Sequence, residues 1–139
     1  MNFKPNYPIY LQVADFITGK VLREEWRDGD KLPALKDLAV TTSVNPNTVI
    51  KGLGYLVENK ILTTQRGVGY FLTANARAIT LELKRRQFVE EVLPEVFSSM
   101  DLLGLGLYDL TRIYEERREH AQAPPAAAAA PATPAGSAP

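Results

Sequence analysis

The sequence predicts a mainly helical α+β protein: a winged helix-turn-helix followed by a short two-helix region. Three observations carry this reading. Apolar residues recur at helical spacing in three successive segments between residues 9 and 57. A β-prone stretch with glycines near its centre, residues 61–73, follows the third segment. A broad helical-period apolar stripe then resumes between residues 79 and 114. The expected organisation is a first domain over 1–75, a helical region over 76–120 and an Ala/Pro-rich tail over 121–139.

The elements follow in chain order. Pro8 suits the first turn of a helix, and Ile9, Val13, Phe16, Ile17 and Val21 then share a face, predicting a helix over 8–25. "RDGDKLP" supplies an Asp28-Gly29 turn and Pro33 before the next element. "ALKDLAVTT", residues 34–42, reads as a short helix with Leu35, Leu38 and Ala39 inward. After the turn "SVNP", Asn45 is the expected N-cap and Pro46 the first residue of a third helix that ends near Asn59. "ILTTQRGVGYFLT" then reads as a hairpin with Gly67 and Gly69 near its tip.

Beyond residue 76, Ile79, Leu83, Phe88, Val89, Val92, Leu93, Val96 and Phe97 form one stripe. Pro94 should kink or interrupt it, because it lacks the N–H owed to the carbonyl of Glu90. "SSMD", residues 98–101, offers caps for a second helix carrying Leu103, Leu107, Leu110, Ile113 and Tyr114. These helices hold too much apolar surface to stand alone in water. They must bury it on the first domain, on each other or on a second copy. "AQAPPAAAAAPATPAGSAP" has too few core-forming residues and too many prolines to fold, and is expected to be disordered.

Composition narrows the function. The net charge is zero, with residues 1–75 slightly basic and the remainder slightly acidic, so any nucleic-acid surface must be local. The absence of cysteine removes thiol nucleophiles and thiolate metal sites and fits a reducing, cytoplasmic setting. No stretch approaches a membrane span, and the N-terminal residues do not have the make-up of a signal peptide. The one histidine, His120, borders the tail, and the acidic pairs Glu90-Glu91 and Glu115-Glu116 alternate with arginines as on a solvated helix face. No phosphate loop, metal spacing or nucleophile–base set is visible, so neither an enzyme nor a cofactor is expected.

A helix-turn-helix must bury one face of its second helix and present that helix's first turn to the major groove. In a helix starting at Pro46, Val49, Leu53 and Leu56 turn inward, and Asn47, Thr48 and Lys51 point elsewhere near the N-terminus. Asparagine can bond base edges, threonine can meet a phosphate or a thymine methyl, and lysine can reach guanine or phosphate. Capping alone accounts for Asn45 and Pro46, but not for Lys51 or the hairpin that follows. Arg66 beside Gly67 fits a wing tip that approaches a minor groove, though a solvated arginine on a tight turn reads the same way. Lys36 opens the helix that crosses the DNA backbone. Gly52, just before inward Leu53, fits close packing against a neighbouring helix. Gly54 lies nearer the outward side, where it lets the helix approach DNA or bend toward it.

The blocks "PIYLQVADFI", "GDKLPALKDLA", "VNPNTVIKGLGYL" and "TTQRGVGYFL", in this order and spacing, resemble the GntR family of bacterial transcription regulators, and most its YtrA-type subfamily. The resemblance is strong over 7–73 and rests on length and character over 74–119. It implies a homodimer of winged-helix domains on a two-fold symmetric double-stranded DNA operator, joined through C-terminal helices. It places Lys36, Asn45, Asn47, Thr48, Lys51, Arg66 and Gly67 at the DNA, and suggests repression of the protein's own operon and of transporter genes. The family commonly has Ser and Arg where Ala34 and Lys36 stand. Lysine keeps the charge but loses the bidentate fork, which turns that contact toward phosphate. The rival reading is a winged helix used for protein–protein contact. A single-strand or RNA reading would need more stacking aromatics than Tyr55 and Tyr70. The sequence names no small-molecule effector. Phe88, Phe97, Tyr108 and Tyr114 are the aromatics available at an intersubunit site, and they read more simply as core or interface.

Overall fold

The computed structural model describes residues 5–121, so the expected disordered tail lies outside the described residues from 122 onward. The chain forms two compact units, one reaching Val89 and the other beginning at Glu90.

The first unit contains α1 (Ile9–Leu22), α2 (Leu35–Thr42), α3 (Pro46–Glu58), the strands β1 (Leu62–Gln65) and β2 (Gly69–Leu72), and α4 (Ala76–Gln87). Its core is the inward face of each helix: Val13, Ile17 and Val21 from α1, Leu38 from α2, and Val49, Leu53 and Leu56 from α3. Ile61, Leu62 and Leu72 close it beneath the hairpin. The expected helical faces are present, with two differences. Ile9 is exposed and Phe16 only half-buried, whereas Gln12 and Thr18 are buried. These two polar side chains hydrogen-bond backbone carbonyls, Gln12 to Tyr7 at 2.9 Å and Thr18 to Asp15 at 3.2 Å, and so enter the core satisfied.

All three helices of the motif end through the same device. Glu24, Ser43 and Lys60 adopt left-handed φ of 61°, 57° and 66°. In each case the next residue's N–H reaches back five residues along the chain: Glu25 to Lys20, Val44 to Ala39 and Ile61 to Leu56. None of the three is glycine, which is why α1 was expected to run on to residue 25. Val44 and Ile61, the residues just past two of these ends, are buried and fix where the chain turns.

β1 and β2 pair antiparallel, from Leu62 opposite Leu72 to Gln65 opposite Gly69. The expected Asp28-Gly29 turn does more than turn. Leu72 N–H donates to Asp30 O at 2.8 Å and Leu32 N–H to Tyr70 O at 2.9 Å, with Lys31 bridged to Phe71. This segment acts as a third short strand and ties the wing to the body. α4 packs on α1 through an ion pair between Lys84 and Asp15. At its start, the backbone N–H of Arg77 donates to Asp28 Oδ1 at 3.0 Å.

Pro94 interrupts the long apolar stripe as expected. α4 stops at Gln87, Phe88–Val92 widens into a π-helical turn, and α5 (Leu93–Leu103) begins with Pro94 in its first turn. A wider turn accommodates the missing donor at proline. The second break does not fall at Ser98–Asp101, which lies inside α5. It falls at Gly104, left-handed at φ 69°, before α6 (Leu107–His120). Gly106 opens α6, and its N–H donates to Asp109 Oδ2 at 2.9 Å. Glycine's freedom at positive φ outweighs the capping potential of the serines. α5 and α6 bury no residue fully in the single chain. Among the described residues no helix is long and apolar enough to cross a membrane.

The two glycines of α3 differ sharply. A Cβ on Gly52 would lie 2.8 Å from the Tyr10 carbonyl oxygen and 3.3 Å from Val13, whereas one on Gly54 would meet nothing within 4 Å. Gly52→Ala should therefore destabilise the protein by about 1–3 kcal/mol through overpacking against backbone. Gly54→Ala should stabilise it by about 1 kcal/mol. Urea unfolding of both variants against the parent checks the pair.

Candidate nucleic-acid interface

α2, the turn at 43–45 and α3 form the helix-turn-helix, and the hairpin forms the wing. Asn45 caps α3: its Oδ1 accepts the N–H of Asn47 at 2.8 Å, and Pro46 occupies the first turn without leaving a donor unmet. This fixes the rotation at which α3 starts. Val49, Gly52, Leu53 and Leu56 are buried, which leaves Asn47, Lys51 and Gly54 exposed on the opposite side. Thr48 is half-buried at the edge of that face.

Lys36 is exposed in the first turn of α2. That helix has no side-chain cap, because Ala34 stands at the capping position with extended φ and ψ of −61° and 153°. Arg66 and Gly67 occupy the exposed wing tip. Val68 N–H donates to Gln65 O at 2.9 Å across a tight turn, and Gly67 sits at φ 76°, where a type II turn requires a left-handed residue. The base of the wing is joined to the C-terminal end of α3 through Thr73, whose N–H donates to Ile61 O at 3.0 Å and whose hydroxyl donates to Lys60 O at 2.8 Å.

The structure thus gathers Asn45, Asn47, Thr48 and Lys51 on the first turns of one helix. Lys36 stands separately on α2, and Arg66 with Gly67 on the wing. The electrostatics group them differently. Residues 31–73 carry five basic side chains against two acidic ones. Among the described residues, none of those five, Lys31, Lys36, Lys51, Lys60 and Arg66, has a carboxylate within ion-pair distance. The partnered cations of the first unit lie elsewhere: Lys20, Arg23, Arg27, Arg77 and Lys84. Lys20 and Arg23 both bond Glu25, and the Arg23 bond foremost holds that carboxyl below the usual range. A neutral chain therefore keeps an uncompensated positive surface on the helix-turn-helix and wing.

One neighbour of this surface is not apparent from the sequence. Tyr10, in the first turn of α1, lies beneath the Lys51 ammonium, with Nζ 4.3 Å from the ring centroid. Its ring also meets Tyr55 edge-on, at 6.3 Å between centroids and 74° between planes. The only sequence signal for it is Gly52, which fits close helix contact without naming the partner. No group of three or more His, Asp or Glu side chains among the described residues comes together as a metal site would require.

A helix-turn-helix with a pinned wing and unpaired cations is the fold of a DNA-binding transcription regulator, not of an enzyme. Residues 9–72 match the model of the bacterial regulatory proteins of the gntR family. The chain is 39% identical over 103 residues to the uncharacterized HTH-type transcriptional regulator YhcF of Bacillus subtilis, spanning 74% of this chain and 84% of that protein. It is 34% identical over 103 residues to the B. subtilis HTH-type transcriptional repressor YtrA, spanning 74% and 78% of the two chains. A GntR family transcriptional regulator from Listeria monocytogenes superposes with a TM-score of 0.68 at 27% identity, covering 82% of this chain and 98% of that one. The protein belongs to the GntR family.

The uncapped start of α2 makes a direct test. Ala34→Ser supplies a hydroxyl to backbone N–H groups that now have no side-chain acceptor. It is expected to raise stability by about 1 kcal/mol, read as a higher midpoint in urea.

Proposed function

We propose that the protein is a homodimeric, sequence-specific repressor of the YtrA type, acting on a two-fold symmetric operator. The carrying observation is the set of unpaired cations on α2, α3 and the wing. A duplex offers dense negative charge, and cations without carboxylate partners are free to replace its counterions. Asn47, Thr48 and Lys51 read bases or phosphates from α3, Lys36 meets a phosphate, and Arg66 with Gly67 brings the wing to a groove. Asn45 spends its side-chain oxygen on the cap, leaving its amide group for DNA. Residues 1–75 carry this reading surface, and residues 76–120 supply self-association. The likeness to a repressor over most of its length supports repression. Control of the protein's own operon and of transporter genes belongs to the same reading.

Three substitutions separate the roles. Lys51→Ala or Asn47→Ala should relax sequence preference, costing about 1–3 kcal/mol against the selected site. Lys36→Ala should weaken binding almost equally on all sequences and lower the salt slope by about one. Fluorescence anisotropy titrations at several salt concentrations measure both; unchanged affinity in all three variants would remove this surface as the binding face.

Self-association rests on the second unit. Phe97, Leu102, Leu103, Leu107, Tyr108 and Tyr114 are all more than half exposed in the single chain. Along α6, Leu107, Leu110 and Tyr114 line an open hollow of about 730 Å³. Exposed apolar area on this scale marks an interface. Light scattering at micromolar concentration should return twice the chain mass, and Leu107→Asp should shift it toward the monomer.

A further inference from the structure

We propose that Tyr10 is a positioning residue for DNA reading: its ring holds the Lys51 ammonium on one side of α3 and so sets which phosphate or base edge Lys51 meets. This rests on the DNA-binding role proposed above for Lys51.

Gly52 has no side chain, and the Tyr10 carbonyl occupies the space where a Cβ would stand. The first turn of α1 is therefore drawn against the recognition helix one residue beyond Lys51. At that separation the Tyr10 ring reaches the Lys51 ammonium at 4.3 Å, inside the range of a cation–π contact. The ring is itself held in place. Tyr55 packs against it edge-on, and Gln87 Nε2 donates to the Tyr55 hydroxyl at 3.3 Å. A free lysine on an exposed helix face distributes its ammonium over many rotamers, and that freedom is lost on binding. A lysine already held over a ring loses less. The contact uses one side of the ammonium, whose three N–H donors are not all directed at the ring, so it can still bond DNA. No carboxylate among the described residues competes for Lys51.

The test uses the full chain and a duplex it enriches from a random-sequence pool. Tyr10→Leu should weaken binding to that duplex about three- to fivefold, and Tyr10→Phe, which keeps the ring, should restore it. In the Lys51→Ala background, Tyr10→Leu should have no further effect, because the group it positions is gone. Mono-, di- and trifluorophenylalanine at position 10 keep the ring's shape and progressively drain its face of charge. Affinity should fall in that order, a readout that a purely structural role would not move and that stands even if the leucine variant does not fold. Flat affinity across the fluorinated series, tighter binding by Tyr10→Leu, or an equal loss from Tyr10→Leu with and without Lys51 overturns the assignment. If Lys51→Ala alone leaves affinity unchanged, or the pool yields no enriched duplex, the underlying Lys51 reading fails, and the positioning role with it.

Discussion

The first unit depends on the approach of α1 to α3 at Gly52. With no side chain there, the two backbones meet where the Tyr10 carbonyl stands 2.8 Å from the place a Cβ would take. Val13, Ile17, Val49, Leu53 and Leu56 then share one fully buried interior. A glycine inside a helix weakens that helix by about 1 kcal/mol relative to alanine. The close approach offsets this by letting apolar side chains on both sides pack without gaps, which interiors require. Gly54 carries the same intrinsic penalty and meets nothing. Its outward position, between Lys51 and Glu58 on the exposed side of α3, leaves room for another molecule's backbone.

The candidate DNA surface is organised from this contact outward. The buried face of α3 sets its rotation, and the Asn45 cap sets where it starts. Together they determine that Asn47 and Lys51 point away from the core. The wing is held at both margins: the segment Gly29–Leu32 pairs along β2, and Thr73 bonds the end of α3. Its tip therefore stands on a rigid base although the turn itself is exposed. Charge follows the same division. The helix-turn-helix and wing keep their cations without carboxylate partners, while acids elsewhere in the first unit pair with Lys20, Arg23, Arg27, Arg77 and Lys84. A zero net charge hides this segregation.

The second unit obeys a different logic. Its helices are amphipathic, yet neither α5 nor α6 buries a residue fully in the single chain. Short helices draw most of their stability from a buried face. A pair this exposed is a half-finished core, and in the proposed homodimer a second copy would provide the other half with the same residues by symmetry.

Much of this was legible in the sequence. Helical periodicity, the Asn45-Pro46 start and the glycine-tipped β-prone run gave the order of elements and the winged helix-turn-helix, because each is written in local spacing or local backbone preference. The positions proposed to face DNA followed from the rotation of one helix and from family likeness, and the structure gives their surroundings. Other features needed the tertiary structure. Glu24, Ser43 and Lys60 end helices in left-handed conformations that no glycine signalled; the following residue's hydrogen bond holds each of them, joined at Ser43 and Lys60 by burial of Val44 and Ile61. The break between α5 and α6 fell at Gly104 rather than at Ser98–Asp101, because backbone freedom at positive φ won over capping potential. The pairing of residues 30–32 with β2, and the placement of Tyr10 under Lys51, join segments about 40 residues apart. The sequence by itself determined what each segment could be. Only packing decided which segments meet, because an apolar face or a missing side chain says that something fits there and not what it is.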